Sequence, residues 1–175
     1  MKRVIISLVA FAVLTLGCSQ EKKLESQTAE EAPKEEKVMQ ASTSEVSSEQ
    51  LKSILSSYFS VKDALVQTDV AQAKSALAKL LENIGSELEE MKSLTKEMHG
   101  KEDVEEIRSD FDDLSQQVYA LVKDNAANKD QTVYKQYCPM AFNNEGAFWL
   151  SDKEEIRNPY FGDKMLKCGK VQEEI

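Results

Sequence analysis

Between Ser47 and Lys123 the apolar residues recur at intervals of three and four. Leu51, Ile54, Leu55, Tyr58, Val61 and Leu65 form one stripe, and Val70, Ala73, Ala76, Leu77, Leu80, Leu81 and Ile84 form a second. Leu88, Met91, Leu94 and Met98 make a shorter third, and Val104, Ile107, Phe111, Leu114, Val118, Leu121 and Val122 a fourth. That spacing places each set on one face of a helix. The punctuation agrees: Ser47 with Gln50 and Asp69 with Gln72 have capping-box spacing, and Gly85 and Gly100 stand where helices should stop. Four amphipathic stripes with short links predict an antiparallel four-helix bundle over 47–123.

After Lys123 the helical pattern fades. Val133–Tyr137 and Ala147–Leu150 read as short strands, with Asn143-Asn144-Glu145-Gly146 as a hairpin-type turn between them. The tail 124–175 holds the only Trp, Trp149. Trp149, Phe148 and Tyr160 are expected to form a small core there or to pack the tail on the helices. The expected fold class is mainly α: a helical bundle with a small C-terminal β-hairpin/loop subdomain, with 47–175 as one domain. Six Gly and three Pro are too few for a sandwich rich in tight turns.

The N-terminus reads as an address. Lys2 and Arg3 precede an apolar run, Val4–Leu16, broken only by Ser7 and Thr15. As a helix that run is too short for a hydrocarbon core of about 30 Å, but it fits the apolar region of an export signal. Leu14-Thr15-Leu16-Gly17-Cys18 resembles a bacterial lipoprotein signal, with Thr15 where Leu is usual. The resemblance implies cleavage after residue 17 and a lipid-bearing Cys18 with three acyl chains. At about 0.8 kcal/mol per buried methylene, these suffice for a stable anchor. The chain is then expected in the cell envelope, lipid-anchored, periplasmic or surface-facing at the outer membrane. An ordinary secretory signal with an incidental Cys18 is the alternative. Residues 18–46, rich in Glu, Lys, Ser and Gln, are expected to be a disordered tether.

Lys and Arg number 22 against 31 Asp and Glu, a formal charge of -9, and removal of Lys2 and Arg3 would make the chain more acidic still. Nucleic-acid binding needs a clustered basic surface, and the sequence has none.

The candidate chemistry lies in the tail. Cys138-Pro139-Met140 is mirrored by Met165-Leu166-Lys167-Cys168. Cys-x-Met on a strand would put both side chains on one face, and Met-x-x-Cys on a helical turn would do the same. Four soft sulfur donors could then converge on a Cu(I)-like ion. The competing reading is a Cys138–Cys168 disulfide, with Met140 and Met165 as packing residues, worth about 3–4 kcal/mol in the chain-entropy model. Idle thiols are a third. His99, the only His, stands beside Met98, where a donor pair is conceivable, but a lone His at a helix end is ordinarily a surface or capping residue. No nucleophile–base set and no Cys-x-x-Cys motif is visible, so an enzyme is not expected.

Several segments together carry a family resemblance. They are Tyr58–Leu65, Ile107–Ser115, Tyr137-Cys138-Pro139-Met140-Ala141, Gly146–Ser151, Glu155–Gly162 and Met165–Gly169. From Glu49 to Glu173 the chain resembles domain of unknown function family 3347. Such domains occur in small exported proteins and lipoproteins, and attached to periplasmic adaptor subunits of heavy-metal efflux systems. The association with copper and silver efflux favours the soft-metal reading of Cys138, Met140, Met165 and Cys168 over the disulfide, with a Cu(I)- or Ag(I)-like cargo and an efflux adaptor as the expected partner. The resemblance implies no established activity.

Overall fold

The computed structural model describes residues 46–126 and 131–175; the signal, Cys18 and nearly all of the tether lie outside them. The chain is mainly helical with a small C-terminal three-stranded antiparallel sheet. The helices are α1 Ser48–Val66, α2 Val70–Asn83, α3 Glu89–Gly100 and α4 Val104–Asp124. Their starts follow the capping residues. Ser47 and Asp69 accept hydrogen bonds from the amides of Gln50 and Gln72, and Asp103 accepts from the amides of Glu105 and Glu106. Each cap satisfies amide donors that the first helical turn leaves unpaired. Helices consecutive in the chain pack on one another, and α1 also meets α4. Leu51, Ile54, Leu65, Leu77, Leu80, Ile107 and Val118 are among the fully buried side chains. No helix of the described residues is long and apolar enough to cross a membrane.

The tail departs from the expected hairpin in two ways. Its strands β1 Tyr134–Cys138 and β2 Ala147–Ser151 are antiparallel, but a third strand, β3 Lys170–Glu174, pairs with the other edge of β1. The order is β2-β1-β3. In sequence β3 is Lys-Val-Gln-Glu-Glu, charged and only half covered, as suits an edge strand. Its single apolar residue, Val171, gives almost no alternation to read. The link from β1 to β2 is also longer than a tight turn. A short helical segment, α5 Ala141–Asn144, carries Phe142, Asn143 and Asn144 at φ 49°, 57° and 72°. Asn tolerates the left-handed region; Phe does not without compensation. Here Phe142 packs edge-on against Tyr160, 5.3 Å between ring centres.

Aromatic side chains join the sheet to the helices. Tyr58 of α1 stacks on Phe111 of α4 at 5.1 Å, and Tyr160 sits 6.0 Å from both Phe111 and Trp149. Buried hydroxyls need partners, and these have them. Leu150 of β2 donates its amide to the Tyr58 hydroxyl at 3.0 Å, and Tyr160 donates to the Phe148 carbonyl at 2.6 Å. Burial raises both phenols above their ordinary range.

Buried Arg108 fixes the tail from another side. Its guanidinium donates to the carbonyls of Pro159 and Leu65, each at 2.8 Å, to Thr68 Oγ1 at 3.0 Å and to Glu105 at 2.9 Å. One side chain of α4 thus ties the α1–α2 turn to the segment 158–162. Gly162 allows the approach: at φ 54°, a Cβ there would lie 2.7 Å from Thr68 Oγ1 and 2.9 Å from Arg108 Nη2.

Candidate soft-metal or disulfide site

Cys138 ends β1 and is fully buried. Directly across the β1–β2 ladder stands Ala147, whose small side chain leaves room beside the thiol. Cys168 lies half-buried on the approach to β3. The two sulfurs are 2.7 Å apart, across 30 residues of sequence. That distance exceeds a disulfide bond of about 2.05 Å. It is shorter than the separation of two sulfurs on one metal, about 3.8–4.6 Å for metal–sulfur bonds of about 2.3 Å. Oxidation would require the pair to close slightly, and metal binding would require it to open by about 1–2 Å.

The segment bearing Cys168 is held by Asn158, which is fully buried. Its Nδ2 donates to the Cys168 carbonyl at 2.8 Å, its amide donates to the Leu166 carbonyl at 2.9 Å, and its Oδ1 accepts from the Tyr160 amide at 2.9 Å. The Asn-Pro-Tyr-Phe-Gly turn is legible in the sequence as a turn, but its grip on Cys168 is not. Gly169 completes the placement. It has φ 148°, and a Cβ would sit 3.0 Å from both the Trp149 ring and the Tyr137 carbonyl. The Trp149 ring therefore lies against the backbone next to Cys168.

The electrostatics favour the thiol form of Cys168. The hydrogen bond with Cys138, which holds the Cys168 proton, then burial, then the Cys138 charge push the Cys168 thiol up to about 11, opposed by the amide of Met140.

The thioethers are placed differently from the strand-and-turn expectation. The strand ends at Cys138, and Met140 has helical dihedrals, φ -95° and ψ -7°. Period-two alternation therefore does not put Met140 on the face of Cys138. Cys138 is fully buried, whereas Met140 is 47% exposed, the one large apolar side chain so exposed among the described residues. Met165 ends the 3-10 turn Gly162–Met165, half-buried, and its carbonyl accepts the Cys168 amide at 3.0 Å. The structure brings the two thiols into contact and sets both Met residues on the segments that carry them. His99 lies in the last turn of α3, after the buried Met98. No group of three or more His, Cys, Asp and Glu among the described residues could hold a metal ion, so any site here depends on sulfur.

Residues 54–130 match the model of a family described as a protein of unknown function (DUF3347). Over that stretch the chain is similar to this family. The DUF3347 stretch runs from α1 to just beyond α4 and supplies Tyr58, Arg108 and Phe111, which seat the tail. Cys138 and Cys168 lie beyond the matched residues. No curated protein and no solved structure matches the chain.

Sequence reasoning missed three residues that seat the tail: Asn158 as a clamp, Arg108 of α4 as a buried tie, and Gln136. Gln136 is fully buried at the centre of β1, and its amide nitrogen takes the carbonyls of Lys153, Glu154 and Glu155 at 2.8, 3.0 and 3.3 Å. A polar residue at an inward strand position is the only signal it leaves.

Proposed function

We propose that this is a non-enzymatic envelope lipoprotein that binds a soft metal ion, Cu(I) or Ag(I)-like, for sequestration or delivery to a heavy-metal efflux adaptor. Cys138 and Cys168 would be the thiolate ligands, with Met140 and Met165 contributing thioether sulfur. The lipid on Cys18 would hold it at the membrane, and an antiparallel bundle of α1–α4 would carry the site. The carrying observation is the meeting of a buried and a half-buried thiol, with the backbone amide of the exposed Met140 against Cys168. Soft sulfur donors select monovalent copper and its like. An exposed thioether two residues from Cys138 suits ligand exchange with a partner and contributes little to a packed core. In a competition titration with a Cu(I) chelator, reduced protein should withdraw about one Cu(I) per chain, and Cys138→Ser should abolish tight binding. No withdrawal by the reduced wild type would end this reading.

The 2.7 Å contact itself favours a second reading, a structural or interaction lipoprotein whose tail is stapled by a Cys138–Cys168 disulfide. Mass spectrometry of the exported protein, with and without thiol alkylation, separates the two. A quantitative disulfide with no metal retained after reduction supports the staple.

A further inference from the structure

A cleft of about 220 Å³ opens between the C-terminal half of α1 and the bend after β2, remote in chemistry from the thiol pair. Lys62, Ser151, Lys153 and Arg157 line it together with Asp63 and Glu155. Lys62 is 2% exposed, an unusual place for an ammonium. Its amine has one close acceptor, Asp63 at 2.9 Å; Ser151 Oγ and Asp152 stand farther off at 3.5 and 3.6 Å. Lys153 and Arg157 are exposed at the rim, and Glu155 faces both while paired with Lys167. The lining carries three cations, Lys62, Lys153 and Arg157, against two carboxylates, Asp63 and Glu155. The cleft is thus positive on a chain whose formal charge is -9.

The backbone adds to this. Gln136 draws the three successive carbonyls of residues 153–155 toward the protein interior. In a planar trans peptide the following N–H points the opposite way. The amides of Glu154, Glu155 and Ile156 therefore face outward, and none has a hydrogen-bond acceptor among the described residues. Successive outward N–H groups beside cationic side chains form an anion-binding concavity.

We propose that this cleft binds a phosphate-type oxyanion, with the 154–156 amides and Arg157 as donors and Lys62 and Lys153 as counter-charges. The same chemistry would serve a free phosphate or the phosphodiester of an anionic lipid headgroup. The test is an amide NMR titration of the full mature chain with inorganic phosphate. Saturable shifts confined to Ser151–Arg157 are expected, with affinity weakened at least about tenfold in the doubly substituted Lys153→Gln, Arg157→Gln protein, whose altered side chains are exposed and leave the core intact. Shifts that never saturate, or that saturate equally in the variant, overturn the proposal. Vesicles of phosphatidylcholine with phosphatidylglycerol identify the source: competition with phosphate, absent with phosphatidylcholine alone, assigns a headgroup, and no competition assigns the free ion.

Discussion

Cys168 sets the protonation chemistry of the site. Its thiol is pushed up to about 11 because its proton is held in the hydrogen bond with Cys138 and because burial disfavours the charge. A metal must displace that proton, so affinity depends on pH in a definite direction. From about pH 6 to 9 Cys168 stays protonated in the free protein, so under the proposed Cu(I) binding the displacement of this proton alone should make affinity rise about tenfold per pH unit across the window. An ordinary thiol near 8.5 would give a curve that flattens before pH 9. Chelator competition at several pH values distinguishes the two. Asp69 moves oppositely: the Gln72 amide, and then its side chain, hold its carboxylate below the usual range. The stability this cap contributes is present above the unfolded carboxyl value and is lost as pH falls through the lower folded one. Asp69→Asn should flatten the acid limb of a stability profile measured by circular dichroism.

The helical elements were readable because each carries an apolar stripe, and α1 and α2 also begin at a capping residue; α3 starts without a side-chain cap. Ser47→Ala should cost about 1 kcal/mol in urea unfolding through loss of the Gln50 bond. The tail was readable only in part. Its β1–β2 pairing follows from alternation, whereas β3 depends on the tertiary partner β1 and shows one apolar residue. The 30-residue return that brings Cys168 to Cys138 rests on Asn158, Arg108 and Gly169, which reveal their roles only when distant segments meet. Asn158→Ala removes a buried donor and acceptor at once and should destabilise the chain by about 1–3 kcal/mol. It should also slow quantitative Cys138–Cys168 oxidation, read by alkylation and mass spectrometry, because the Cys168 segment loses its anchor. Gly169→Ala, forced into a φ that side chains avoid and against Trp149, should shift Trp149 fluorescence and lower stability by about 1–3 kcal/mol. Wild-type stability in both variants would contradict the clamp.

At the scale of the whole molecule, the helices and the sheet share one hydrophobic core, with Tyr58, Phe111, Trp149 and Tyr160 at the junction. The DUF3347 stretch provides the platform, and the tail beyond it carries the sulfur chemistry. Arg108 links the two, so Arg108→Met, which strands Pro159 and Leu65 carbonyls and breaks the Glu105 pair, should cost about 3–5 kcal/mol in urea unfolding. The central claim is that the thiol pair is a metal chelate in its reduced state. Copper K-edge X-ray absorption on the reduced, Cu(I)-loaded mature protein tests it most directly. The account predicts a first shell of sulfur alone at about 2.3 Å, lost in Cys168→Ser. A first shell of nitrogen and oxygen, or a spectrum unchanged by Cys168→Ser, would contradict it.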